Sequence, residues 1–149
     1  MKKLILLRGP SGSGKSTIAE TIGGKIFETD KFWERNGEYK FDPSKLGLAH
    51  AWNQTNVNTA CNFGEELVVV ANTNMTMWEM KPYLKTAAEY GYELEVIRTP
   101  GPWDPDVLFK RNVHGVPLGT LEKQVKKYQE HDDETEWTDM SIFKNEQRT

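Results

Sequence analysis

The chain has 149 residues with 19 basic and 22 acidic side chains, a net charge of −3, which accommodates one well-formed core and not two independent enzymes. A net negative field repels phosphate polymers, so a nucleic-acid partner requires a local basic surface. Five Trp and 11% aromatic residues exclude a disordered chain.

Strands and helices alternate along the sequence, the mark of parallel β-α units. Lys2 to Leu7 reads as a buried strand, followed by a turn over Gly9 to Gly14 and a helix from Lys15 to Ile22, stopped by Gly23 and Gly24. A second strand, Lys25 to Thr29, ends at Asp30, and Phe32 to Phe41 forms an aromatic loop turning at Gly37. Asp42 caps the next helix, with Pro43 at its first position, and that helix runs to Gly64. The β-branched run Leu67 to Ala71 is a central strand with Asn72, Thr73 and Asn74 at its carboxyl end. Because Pro82 disfavours a helix interior, a helix is expected only from about Lys81 to Gly91, before a fourth strand at Glu93 to Arg98. Prolines and glycines between Thr99 and Gly119 flank a short helical lid capped by Asp104, and a last helix is expected over Thr120 to Gln129. The expected domain therefore spans residues 1–129, and the remaining residues, 130–149, are expected to be a solvated or loosely docked acidic tail.

The lone Cys61 forms no intramolecular disulfide, has no thiol companions for a zinc site and reads as a packed thiol in a reducing compartment. Leu4 to Leu7 is too short for a signal or membrane segment, so a soluble, cytoplasmic protein is expected.

Gly9-Pro10-Ser11-Gly12-Ser13-Gly14-Lys15-Ser16, with Thr17 after it, fills every fixed position of the phosphate-binding pattern G-x-x-x-x-G-K-[ST], between a strand and a helix. Backbone N–H groups and the positive helix end converge there on phosphate, Lys15 reaches the outer phosphates, and the Ser16 hydroxyl is suited to Mg²⁺. ATP and Mg²⁺ are the expected cofactors. Asp30, the only acid at an expected strand end, reads either as a base aligning an attacking hydroxyl or as a helix cap. Arg111 on the lid reads either as a cation neutralising a transferring phosphoryl group or as a surface arginine. The strand end that normally carries a Mg²⁺-binding acid shows Ala71 and Asn72 instead.

The runs Tyr39 to Pro43, Ala49-His50-Ala51-Trp52-Asn53-Gln54, Asn72-Thr73-Asn74, Trp78 to Tyr83, Lys110-Arg111-Asn112 and His114-Gly115-Val116 occur in one order. In them the chain resembles the 5′-hydroxyl polynucleotide kinases of bacteriophages and, more closely, the P-loop kinase module of eukaryotic ubiquitin-ligase-binding proteins. The resemblance covers about Met1 to Gln129. It implies an α/β P-loop kinase with a four-stranded parallel sheet, flanking helices and a helical lid, which transfers the γ-phosphate of ATP to a 5′-hydroxyl end of DNA or RNA. It makes Asp30 the general base, with Lys31 where the family carries a second acid, and Arg111 the lid arginine. Trp33 stands near the place of a substrate-binding arginine; Arg35 is its expected replacement, while Trp33 is expected either to stack on a base or to pack in the core. Asn72 and Asn74 join the expected acceptor side, as do Trp52, which reads equally as packing against the sheet, and His114, which reads equally as a solvated side chain. A small-molecule hydroxyl as acceptor and a nucleotide-dependent binding module are the alternatives.

Overall fold

The computed structural model of the protein describes residues 2–35, 37–112 and 115–137, and these build a five-stranded parallel sheet in the order β2-β5-β1-β6-β7. β1 is Lys3–Arg8, α1 Lys15–Ile22 and β2 Lys25–Phe27. A 3₁₀ turn, Thr29–Trp33, leads into an antiparallel hairpin of β3, Glu34–Arg35, and β4, Glu38–Tyr39. Then come a second 3₁₀ turn, Pro43–Lys45, α2 Leu46–Asn62, β5 Leu67–Ala71, α3 Met77–Glu89, β6 Glu93–Arg98, α4 Pro105–Arg111, α5 Leu118–Lys126 and β7 Thr135–Glu136.

β1 lies between β5 and β6, so both of its edges are paired, while α2 and α3 cover one of its faces and α1 the other. Leu4 and Leu6 point into a core shared with Val57, Val68, Val70, Met80 and Tyr83, under α2 and α3. Ile5 and Leu7 point the other way, against Ile18 and Ala19 of α1 and, at the margin, Trp137. A strand buried on both faces must be apolar at every position, which is why Leu4 to Leu7 carries no polar alternation. Cys61 is a buried free thiol in the first core.

Two expectations from sequence are overturned here. α3 begins at Met77, with Pro82 inside it, because Thr76 and Glu79 form a reciprocal capping box at its start. The donor that Pro82 lacks would serve the Trp78 carbonyl, in a first turn where Trp78 is 81% exposed and water can take its place. The sheet has five strands instead of four, since β7 pairs in parallel with β6 through Ile97–Thr135 and Arg98–Glu136. Residues 130–137, expected to be solvated or loosely docked, meet the sheet through this pairing and through the ion pair of Glu134 with Arg8.

The physical reason is a buried cation. Arg8 ends β1 with no exposed surface, and its guanidinium needs acceptors. Nε donates to the Asn74 carbonyl at 2.7 Å, and the Nη groups reach Met75 O at 3.0 Å, Gln129 O at 2.6 Å and the carboxylate of Glu134. The Tyr128 ring lies 4.7 Å below it. Glu134 thus answers a charge planted at the other end of the sequence, and the segment that carries it is drawn to the sheet edge. No helix among the described residues is long and apolar enough to cross a membrane.

Candidate functional site at the carboxyl end of the sheet

β1 delivers the chain into the phosphate loop at the carboxyl edge of the sheet, where ligands of parallel sheets gather. The Gly9 N–H donates to Thr73 O at 3.0 Å, tying the loop to the end of β5. A Cβ on Gly9 would collide with the hydroxyls of Thr99 and Ser13. Gly12 has a φ of 83°, and a Cβ there would meet the Leu108 carbonyl at 2.8 Å, so α4 lies directly against the loop. On the other side α5 makes contact: the Ser11 N–H donates to Gln124 Oε1 at 2.9 Å.

Lys15 folds back over the loop and donates to Gly9 O at 2.8 Å and Pro10 O at 3.0 Å. Burial pulls its pKa from 10.5 to about 8, against the opposing pull of the Asp30 and Glu28 carboxylates. Ser16 and Thr17 follow at the exposed start of α1, and Ser16 Oγ donates to Glu28 Oε1 at 2.8 Å. The Ser13 hydroxyl is buried without a partner. It borders a cavity of about 250 Å³ walled by Pro100, Pro102, Trp103, Leu108 and Arg111.

Asp30 is exposed in the turn after β2, and the Tyr39 hydroxyl from the hairpin is hydrogen-bonded to it. Burial, with the charge and hydrogen bond of Asp30, pushes the Tyr39 phenol up to about 12. Asp30 thus shares one electrostatic environment with Lys15. Half-buried His50 also feels its charge, although burial dominates and lowers the His50 pKa.

The acceptor-side residues separate into two groups. Trp52 is 38% exposed and stands edge-on to Phe32, at 5.7 Å between ring centres. Trp33 is only 2% exposed, locked edge-to-face between Phe32 and Phe41, and has no open face for a base. Asn74 is also buried, donating to Leu7 O at 2.9 Å at a φ of 47°; it shapes the turn after β5. Asn72 lies at the crevice with its amide committed: Oδ1 accepts from the Thr29 N–H at 2.9 Å and Nδ2 donates to Tyr83 Oη at 3.2 Å. The Arg35 side chain and His114 lie outside the described part.

Glu28, Tyr39 and Gln124 were missed by sequence reasoning. β2 stops at Phe27 and not Thr29, so Glu28 and not Asp30 is the first acid past its end. The shorter strand is the signal that was lacking.

The donor set fits the groups the loop implies. Glycine approaches that any Cβ would fill, a helix amino end and a retractable lysine suit a polyphosphate. An exposed hydroxyl whose proton is engaged by a carboxylate offers oxygen lone pairs to a hard cation such as Mg²⁺. Among the described residues no three His, Cys, Asp or Glu side chains converge, so such an ion would lean on few protein ligands and on the nucleotide.

Strand order, phosphate loop and adjoining α4 define a P-loop kinase fold. The AAA domain family matches residues 4–141, and the chain belongs to it. Human NEDD4-binding protein 2 is 38% identical over 134 residues, 85% of this chain; the chain spans only 8% of that protein's length. The Pnkp1/Rnl/Hen1 RNA repair complex contains a chain with a TM-score of 0.65 at 21% identity, covering 85% of this chain and 43% of that one. The Mycobacterium tuberculosis APS kinase CysC, solved with AMPPNP and APS, has a TM-score of 0.60 at 18% identity, covering 99% and 94%. These two structures share the fold.

Proposed function

We propose that the protein is an ATP-dependent phosphotransferase that transfers the γ-phosphoryl group to the 5′-hydroxyl end of a polynucleotide, DNA or RNA. The observation that carries this reading is Asp30, oriented by Tyr39, within the field of Lys15. A carboxylate facing the phosphate cradle is what an attacking alcohol needs to align and to surrender its proton. The fold shared with a chain of an RNA repair complex is in keeping with a polynucleotide acceptor.

In this reading Gly9 to Thr17 hold the nucleotide phosphates, and Lys15 and Arg111 offset charge on the transferring group. Ser16 would hold Mg²⁺, which when bound would supply positive charge to offset that of the phosphates. Asp30 takes the proton of the hydroxyl, and Trp52 borders the acceptor. The cavity beside Ser13 and Arg111 suits the nucleotide's base end.

Incubating the protein with γ-labelled ATP and 5′-hydroxyl oligonucleotides is expected to transfer label, and Asp30→Asn to abolish transfer while ATP still binds. A chain that binds ATP and labels no oligonucleotide would refute the acceptor assignment. A small-molecule hydroxyl is the second reading, favoured by the burial of Trp33 and Asn74, which removes two residues from the acceptor side. Salt separates the two: polynucleotide binding weakens steeply with ionic strength, with a slope set by the phosphates contacted, and a neutral acceptor shows little slope.

A further inference from the structure

Asn72 occupies the strand end where P-loop NTPases carry the acid that serves Mg²⁺, and its amide is engaged by the Thr29 N–H and Tyr83 Oη. Tyr83 Oη also takes a hydrogen from Asn53 Nδ2 at 2.9 Å, which fixes the amide further. Asn72 is therefore a structural tie between β5 and the turn after β2. An acid is nevertheless present at the metal-binding hydroxyl, on the neighbouring strand. β2 pairs with β5 in parallel, Phe27 opposite Val70, so Glu28 emerges one strand spacing, about 4.8 Å, further out. The longer glutamate side chain spans that spacing and accepts the Ser16 hydroxyl proton at 2.8 Å.

We propose that Glu28 has taken over, from the adjacent strand, the work of the acid missing at Asn72: it orients the Ser16 hydroxyl toward Mg²⁺ and supplies the negative charge beside the ion. Engaging the hydroxyl proton leaves the oxygen lone pairs turned away from Glu28, available to the cation. Lys31, with Nζ 3.9 Å from Glu28 Oε2, leaves the other carboxylate oxygen within a loose ion pair and not a tight one. Glu28 acts through Ser16 and is a positioning residue. The proposal rests on nucleotide binding at the phosphate loop, and it concerns the metal dependence of that binding, not the identity of the acceptor.

Charge gives it a signature. Without metal, Glu28 lies beside the loop as a carboxylate that repels phosphate; with Mg²⁺ it becomes favourable. Titration of wild type and Glu28→Gln with a non-hydrolysable ATP analogue, with and without Mg²⁺, reads both effects without any turnover. The variant is expected to bind the metal-free analogue as well as wild type or more tightly, while its half-saturating Mg²⁺ concentration rises about 10- to 100-fold, the range for losing a metal's supporting partner. An unchanged Mg²⁺ requirement in the variant overturns the proposal. So does an equal loss of affinity with and without Mg²⁺, which marks Glu28 as merely structural, or wild-type binding indifferent to Mg²⁺. Lys15→Ala tests the underlying reading separately: if it retains full analogue affinity, the phosphate loop is not the nucleotide site.

Discussion

Lys15 carries a pKa of about 8 because burial penalises its charge more than Asp30 and Glu28 reward it. Phosphates seated in the loop reverse that balance and favour the charged form. Nucleotide affinity is therefore expected to be flat below about pH 8 and to fall as the pH rises above it, with uptake of a proton on binding in that range. Calorimetry in two buffers of different ionisation enthalpy measures the proton directly, and an affinity constant to about pH 10 contradicts the assignment. The same depression acts on folding: between about 8 and the ordinary 10.5 the unfolded chain binds more protons, so Lys15 makes the folded state more stable as pH rises through that window. Tyr39 gives a companion prediction. Tyr39→Phe removes a hydrogen bond to a charged carboxylate, commonly worth about 1.5–3 kcal/mol, and is expected to lower kcat about ten-fold or more while leaving nucleotide Kd unchanged. Steady-state kinetics against equilibrium binding separates the two constants.

Helix α3 shows how local signals compete. Pro82 weighed against a helix from Thr76, yet the capping box between Thr76 and Glu79 outweighs it; Thr76 Oγ accepts from the Glu79 N–H at 3.3 Å, and the Glu79 carboxylate accepts from the Thr76 N–H at 3.0 Å. Thr76→Ala is expected to cost about 1 kcal/mol, a drop in Tm of about 2–4 °C in a thermal melt. Both halves of that box, Thr76 and Glu79, are visible in the sequence three positions apart. α1 and β5 were legible to the residue, and β6 likewise, because a contiguous motif and apolar runs bounded by glycines specify them locally. The phosphate loop was legible for the same reason. Glu28, Gln124 and the supports of Asp30 were not: Ser11 and Gln124 are 113 positions apart, and only the packing of α5 against the loop joins them. Trp33 was ambiguous in sequence because an aromatic in a crevice and an aromatic in a core have the same composition. Strand β7 was the least legible element, two polar residues with no periodicity, held by partners across the whole chain.

At the scale of the molecule, β7 changes the meaning of the charge. Residues 1–129 carry 17 bases and 15 acids, a balance of +2, and residues 130–149 carry two bases and seven acids, a balance of −5. Read as a free tail, those acids are a decoy that competes with polyanions, and deleting residues 130–149 would tighten oligonucleotide binding at low salt. But five acids, Glu130, Asp132, Asp133, Glu134 and Glu136, and no Lys or Arg fall within residues 130–137, while residues 138–149 hold Asp139, Lys144, Glu146 and Arg148, a balance of zero. The whole excess thus belongs to the segment that docks: Glu134 on Arg8 and Arg98, Glu136 on Arg98 at 3.3 Å. Removing one partner of a buried ion pair leaves an unpaired charge and costs about 3–5 kcal/mol, a large share of the 5–15 kcal/mol that typically holds a domain folded. Glu134→Ala, or truncation after Gln129, is therefore expected to destabilise the fold by several kcal/mol in a denaturant titration, not to improve binding. Truncation after Trp137 keeps the net charge at −3, and it is expected to leave the salt slope of oligonucleotide binding unchanged. A slope that steepens on that truncation would return the decoy to the last twelve residues, despite their balanced charge.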